Sequence, residues 1–213
     1  MLHIERFTVN MVAENCYILW DDTLEAAVID CGAFFPEEKE AISRFVSGKG
    51  LTVKLLLNTH GHFDHVFGAD FIHSQYGVGI SLCEAEEETY DKAAEQMRQF
   101  VGQALPLMPA PKAALFKDGD TLRFGATELR VIATPGHTPG GVCFYDEADK
   151  ALFSGDSLFR HAIGRCDLPG GNHASLVDAL QKHVLTLPGD VRVFPGHGGE
   201  TTIEEERTSN PYL

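Results

Sequence analysis

Four side chains that can bind a metal ion lie within six residues of one another: His60, His62, Asp64 and His65. The apolar run at 53–57 directly before them predicts a buried strand, so they follow its end on a loop. Imidazole nitrogens and carboxylate oxygens are ligands of zinc and related divalent ions. A lone histidine is more often an ordinary surface or core residue, but four ligand-type side chains in so short a segment favour a metal site.

Three further residues have settings of the same kind. His137 stands in Thr-Pro-Gly-His-Thr-Pro-Gly, Asp156 in Ser-Gly-Asp-Ser, and His197 in Pro-Gly-His-Gly. Each follows a predicted strand and a glycine, which lets backbone and ligand approach closely. Any one of these segments would be a weak signal, but with the first four residues they predict one composite site.

The elements that must position these residues are predicted from hydrophobic periodicity and turn residues. In the first half we expect strands over 2–9 and 16–20 around a turn at 13–15, strands over 25–30 and 53–57, and helices over 36–45, 69–75 and 84–103, followed by a proline-rich connector at 106–111. In the second half we expect strands over 121–124, 128–133, 141–145, 150–154 and 191–194, and helices over 175–184 and 203–207. Strands followed by helices, twice over, predict an α/β fold of four layers, with two packed sheets between outer helices.

Composition excludes several classes of protein. The 17 Lys+Arg against 31 Asp+Glu give a formal net charge of −14, which disfavours nucleic acid and anionic membranes as partners. We find neither an apolar run of the ~20 residues that a membrane span needs nor an N-terminal secretory signal. Five scattered cysteines without a Cys-x-x-Cys pair indicate a reducing, cytoplasmic compartment. We expect one domain over 1–213 and a small-molecule substrate.

In this order, Thr-His-x-His-x-Asp-His, Gly-His, Gly-Asp and Gly-His resemble the motifs of the metallo-β-lactamase-fold hydrolases over essentially the whole chain. The resemblance implies an αββα sandwich with a two-metal site at one edge of the sheets. Carried onto matching positions, it implies that His60, His62 and His137 bind one metal ion, that Asp64, His65 and His197 bind the other, and that Asp156 bridges them. Two zinc ions are expected, with iron or manganese as alternatives.

The segment Gly-Arg-Cys-Asp-Leu-Pro-Gly-Gly at 164–171 and the stretch from Pro195 onward are similar to short bacterial glyoxalase-II-like proteins. That resemblance implies cleavage of S-D-lactoylglutathione or a related small thioester by a metal-bound hydroxide, which Asp64 would orient. Classical glyoxalase II continues into a helical domain that helps to bind glutathione. Only 16 residues follow His197 (213 − 197), so no such domain is expected here.

Two residues outside the ligand set also match the family. Asp30 matches an aspartate that hydrogen-bonds behind the metal loop, although an ordinary turn aspartate explains it equally well. Arg165 stands where glyoxalase II carries a substrate-binding lysine, and a guanidinium can bind a carboxylate bidentately. The alternative for Arg165 is a pair with Asp167 that only shapes the loop.

Other activities of the same fold stay open. A persulfide dioxygenase would hold one iron at His60, His137 and Asp156, and a lactonase or other ester hydrolase would use the two-metal site. Aspartate at 156, where several β-lactamases carry cysteine or serine, disfavours antibiotic hydrolysis, and His62 disfavours the flavodiiron oxidoreductases, which carry glutamate there. A complete ligand set argues against a non-catalytic binding protein.

Overall fold

The computed structural model describes residues 1–102 and 107–213. The strands, in chain order, are β1 (His3–Val9), β2 (Glu14–Trp20), β3 (Glu25–Ile29), β4 (Thr52–Leu57), β5 (Ile80–Cys83), β6 (Lys112–Phe116), β7 (Thr121–Phe124), β8 (Thr127–Ala133), β9 (Val142–Asp146), β10 (Ala151–Gly155), β11 (Leu158–Phe159), β12 (Ala162–Ile163), β13 (Arg192–Pro195) and β14 (Thr201–Thr202). The helices are α1 (Pro36–Lys49), α2 (Phe63–Val66), α3 (Ala69–Tyr76), α4 (Glu87–Asp91), α5 (Ala93–Val101), α6 (His173–Ala179) and α7 (Ile203–Ser209). A 3₁₀ turn (Glu84–Glu86) precedes α4, and a π-helical turn (Leu180–Val184) extends α6.

Two six-stranded sheets form the centre of the fold. The first has the order β1-β2-β3-β4-β5-β6 and is parallel from β3 onward. The second has the order β14-β13-β10-β9-β8-β7, in which only β10 and β13 run parallel. The remaining pair, β11 and β12, makes a small separate hairpin.

Alternating side chains divide the apolar core into three clusters. On β2, Tyr17 and Leu19 pack against the second sheet, whereas Cys16 and Ile18 face the other way, into the cluster that includes residues of α1 and α3. On β9, Phe144 joins the cluster between the sheets and its neighbours join the cluster that includes residues of α6 and α7. Three buried clusters separate four layers, which confirms the αββα sandwich expected from the sequence.

Three local predictions were wrong. The first turn lies earlier than residues 13–15, because Glu14 already pairs with Val9; Asn10 and Ala13 take positive φ angles of 55° and 58° there. The segment 84–103 is a 3₁₀ turn and two helices that meet at Lys92, with residue 103 outside the described residues. The third error is an omission, because the sequence did not predict the strands β5, β6, β11, β12 and β14 or the short helix α2.

The described part of the proline-rich connector, residues 107–111, leads into β6, and residue 106 lies outside the described residues. Within residues 1–102 and 107–213, no helix has the length and apolarity that crossing a membrane requires.

Candidate metal centre

The predicted ligands meet at one edge of the sandwich, beyond the ends of four strands. His60 follows β4, His137 follows β8, Asp156 follows β10 and His197 follows β13. The remaining three lie at the start of the four-residue helix α2, where His62 is the N-cap and Asp64 and His65 lie in the helix. The fold therefore brings together all seven residues that the sequence predicted to be ligands.

One group contains three imidazoles. The ring centroids of His60, His62 and His137 lie 4.7 to 4.9 Å apart. The Nδ1 atom of His62 is 3.0 Å from Nε2 of His137. Nε2 of His60 is buried and has no hydrogen-bond partner. Such convergence of nitrogen lone pairs suits a divalent ion of the zinc type.

The second group combines a carboxylate with two imidazoles. Oδ2 of Asp64 lies 3.4 Å from Nε2 of His197 and 3.8 Å from Nε2 of His65. Each group offers three ligand atoms that all lie within 4.8 Å of one another. The two groups have the membership that the sequence predicted for the two metal sites.

Asp156 stands between the groups. Its Oδ1 is 3.3 Å from Nε2 of His65, and its Oδ2 is 3.6 Å from Nε2 of His137 and 3.7 Å from Nε2 of His197. Oδ1 of Asp156 and Nε2 of His65 are both buried without a hydrogen-bond partner. Buried polar atoms without partners are costly unless something else binds them. A pair of divalent ions fits these atoms and this set of donors.

Asp30 orients one histidine of each group. Its Oδ2 accepts hydrogen bonds from Nδ1 of His65, at 3.1 Å, and from Oγ1 of Thr59, at 2.6 Å. The Thr59 hydroxyl lies 3.1 Å from Nδ1 of His60 and accepts from it, since its own proton goes to Asp30. In their neutral forms both histidines therefore have the free lone pair on Nε2, which is the arrangement that metal ligands need.

The two groups differ in charge. Burial and neighbouring histidines hold the pKa of His60 well below its ordinary value, and the same causes lower the pKa of His62 to about 4. Burial also opposes protonation of His65, but the carboxylates of Asp156 and Asp64 outweigh it and raise its pKa. The pKa shifts thus favour neutral imidazoles at His60 and His62, whereas the carboxylates around the second group favour the protonated form of His65.

Arg165 approaches the site through its backbone. Its carbonyl oxygen accepts a hydrogen bond of 2.7 Å from Nδ1 of His137, which leaves Nε2 of that histidine free. Its exposed side chain binds Asp167 with two hydrogen bonds of 2.8 Å each, the alternative recognised in the sequence. Binding of a substrate carboxylate by Arg165 stays a prediction.

Three supporting residues were missed in the sequence. The Nδ2 atom of Asn10 donates to the carbonyl oxygen of Asp64 at 2.9 Å, and Nδ2 of Asn58 donates to that of His65 at 2.9 Å. Glu86 accepts from two backbone amides in the ligand loops. Asn58 adjoins the first motif, but no spacing rule connects Asn10 or Glu86 with it.

Comparison with known proteins places this fold and site in a family. The family model described as Metallo-beta-lactamase superfamily matches residues 9–197. "Hydroxyacylglutathione hydrolase GloC" of Haemophilus influenzae is 34% identical over 215 residues, which cover 100% of this chain and 98% of that protein.

Solved structures agree over nearly the whole chain. The "BLEG-1 B3 metallo-beta-lactamase" is 32% identical with a TM-score of 0.89, and the match covers 99% of each chain. The structure titled "TTHA1623 in a di-iron-bound form" is 33% identical with a TM-score of 0.84, covering 98% of this chain and 100% of that one. These relatives differ in the activity or metal that their names state.

Proposed function

The chain belongs to the metallo-β-lactamase superfamily, as a metal-dependent hydrolase, and on that premise we propose that it is a binuclear enzyme of the glyoxalase II type. Its substrate is S-D-lactoylglutathione or a related small thioester. The observation that carries the proposal is the carboxylate of Asp156, which lies within 3.7 Å of a histidine nitrogen in each of two ligand groups. The name of the Haemophilus influenzae relative supports this choice of substrate.

In this proposal His60, His62 and His137 would hold one ion, Asp64, His65 and His197 would hold the other, and Asp156 would be a ligand that the two sites share. When bound, divalent ions acidify a water molecule and polarise a substrate carbonyl. Zinc is the proposed metal, and iron is the alternative that the di-iron relative supports.

The chain's own side chains have distinct tasks. Asp64 faces the site with a carboxylate whose pKa is lowered, because His65 and His197 outweigh the effect of burial. In its ionised form it accepts a hydrogen bond from the attacking water and fixes that water's direction of approach. Asp30 accepts a hydrogen bond from Nδ1 of His65 directly, and it orients His60 through the hydroxyl of Thr59. The Nδ1 atoms of both histidines therefore face away from the site.

The test combines metal analysis with a substrate panel. Purified protein should retain close to two divalent ions and hydrolyse S-D-lactoylglutathione or another small thioester faster than lactones or β-lactams. The β-lactam arm is included because one 32% identical structure is titled a B3 metallo-β-lactamase. The variant His137→Ala should lose an ion and its thioesterase activity, whereas the exposed His183→Ala is the matched control.

Two results would overturn the proposal. A single bound iron, with oxygen consumption on a persulfide, would assign the chain to the dioxygenase class instead. Two bound ions with preferred turnover of a lactone or a β-lactam would keep the binuclear hydrolase and exclude the thioester.

A further inference from the structure

Glu86 is a completely buried acidic residue in the 3₁₀ turn after β5. Its Oε2 accepts a hydrogen bond of 2.8 Å from the backbone amide of Gly61, and its Oε1 accepts one of 2.6 Å from that of Gly140. Burial of a carboxylate is unfavourable and raises the pKa of Glu86, an effect that Thr138 and these two amides oppose. A buried acid whose two oxygens each bind a different loop is therefore a specific arrangement.

The two amides belong to the loops that carry the three-imidazole group. Gly61 separates His60 from His62, and Gly140 lies three residues after His137 (140 − 137). One side chain thus connects segments that are 79 residues apart (140 − 61). The Glu86 side chain therefore spans the gap between these two loops.

Both glycines allow an approach that a larger residue would prevent. A Cβ atom at Gly61 would lie 2.6 Å from the backbone nitrogen of Tyr90. At Gly140 it would lie 2.7 Å from the backbone nitrogen of Glu86 and from the carbonyl carbon of Ala85. These contacts are with backbone atoms, so the loops and the turn of Glu86 fit together closely.

We propose that Glu86 is a positioning residue that holds the loop of His60 and His62 at the correct distance from the loop of His137, so that their imidazoles share one metal ion. The inference rests on the binuclear site proposed above. It adds a supporting residue outside the ligand motifs. It also predicts asymmetry, because the hydrogen bonds of Glu86 go to the loops of the first group, whereas Asn10 and Asn58 bind the carbonyl oxygens of Asp64 and His65 in the second group.

The experiment compares Glu86→Gln with Glu84→Gln, an exposed glutamate two residues away in the same turn. The glutamine is nearly isosteric, but its NH₂ group cannot accept a hydrogen bond from one of the two amides. Each substitution is made in two backgrounds, His197→Ala, which keeps the first group intact, and His137→Ala, which keeps the second. The readout is the affinity for Co²⁺, measured by competition with a chelator and by the visible absorption spectrum.

In the His197→Ala background we expect Glu86→Gln to weaken Co²⁺ binding about 10- to 100-fold and to alter the absorption bands, as is typical of lost support behind ligands. In the His137→Ala background we expect less than a threefold change from the same substitution. Glu84→Gln should behave as its parent in both backgrounds. Should Glu86→Gln fail to fold, Glu86→Asp serves instead, because the shorter carboxylate cannot reach both amides.

Equal weakening in both backgrounds would reduce Glu86 to a general structural role and overturn the inference. Unchanged affinity and spectrum in the His197→Ala background would overturn it as well, while two ions in the unaltered protein would leave the proposed function standing. An unaltered protein that binds no divalent ion would overturn both.

Discussion

Two buried aspartates at opposite ends of the first sheet, Asp21 and Asp30, form hydrogen bonds of different kinds. Asp21, next to the turn between β2 and β3, accepts four hydrogen bonds: two from Thr23, one from the amide of Ala126 and one from the hydroxyl of Thr127. This carboxylate joins the β2–β3 turn to the β7–β8 turn of the other sheet. Both oxygens of the Asp21 carboxylate therefore have hydrogen-bond partners.

At the other end of β3, Asp30 hydrogen-bonds to side chains that have polar atoms without a hydrogen-bond partner. His65, bound directly to Asp30, and His60, bound through Thr59, both have a buried Nε2 without a partner. Fully satisfied polar groups at the Asp21 end stabilise the fold, whereas unpartnered atoms at the Asp30 end are free to bind something else. We therefore expect Asp21 to contribute to the stability of the fold and Asp30 to contribute to ligand binding at the candidate site.

The largest expected effect on catalysis is at the Asp30 end of the sheet, where the candidate metal ligands lie. Asp64→Asn preserves the shape of the side chain but removes the charge between His65 and His197, so kcat for thioester hydrolysis should fall at least ~10²-fold. The melting temperature of the metal-free protein should change little. Steady-state kinetics and calorimetry measure the two effects. Near-normal turnover with normal metal content would remove Asp64 from the catalytic residues.

The Asp21 end should show the reverse pattern. Asp21→Asn replaces an acceptor with an NH₂ group that faces buried donors, which should lower the free energy of unfolding by about 1–3 kcal/mol. The kcat per bound metal should stay unchanged. Denaturant unfolding checks the first expectation, with the neighbouring exposed Asp22→Asn as control. A drop in kcat at full metal content would show that the two ends are coupled.

A smaller effect is expected from acid. Burial would raise the pKa of Asp21, but its hydrogen bonds from Thr23, Ala126 and Thr127 outweigh burial and lower the pKa from 3.8 to about 2. Because the folded pKa is the lower one, this stabilisation is complete above about pH 4 and is lost as pH falls toward 2. The difference in unfolding free energy between the wild type and Asp21→Asn should shrink over that window. A difference that grows on acidification would contradict the assigned bonds.

The smallest effect is expected at Arg165, whose exposed guanidinium already pairs with Asp167. Exposed charges interact weakly because water screens them, so Arg165→Ala should raise KM for carboxylate-bearing thioesters by no more than about fivefold. Neutral thioesters should be unaffected. Equal changes for both substrate types would remove Arg165 from substrate recognition, and a far larger rise would show that substrate displaces Asp167.

The layered fold was predictable because strands such as β2 and β9 carry strong apolar patterns. β5 and β6 were not, because β5 has only four residues and β6 contains two alanines and is mostly exposed. The parallel pairing of β5 with β4 and of β6 with β5 is a tertiary effect that local propensity does not record. The 3₁₀ turn at the start of the helix predicted over 84–103 has a similar origin, because Glu86 in this turn binds two distant loops.

The candidate site was predictable where several ligand-type residues are close in sequence or follow a glycine at a strand end. Asp30 could be proposed but not separated from an ordinary turn residue, because its role depends on Thr59 and His65. Glu86 and Asn10 gave no signal, since their partners are backbone atoms far away in the chain. A backbone amide has no sequence signature.

The ligands come from both sheets, and this has a kinetic consequence. His60, His62, Asp64 and His65 follow a strand of the first sheet, whereas His137, Asp156 and His197 follow strands of the second. Neither half contains a complete group, so in the proposed binuclear enzyme each complete set of ligands would form only when the two sheets pack together. Ligands of this kind stabilise the native state by mass action and slow its unfolding without speeding the formation of either half. In the proposed enzyme, metal binding would therefore hold the two packed sheets together once they have formed.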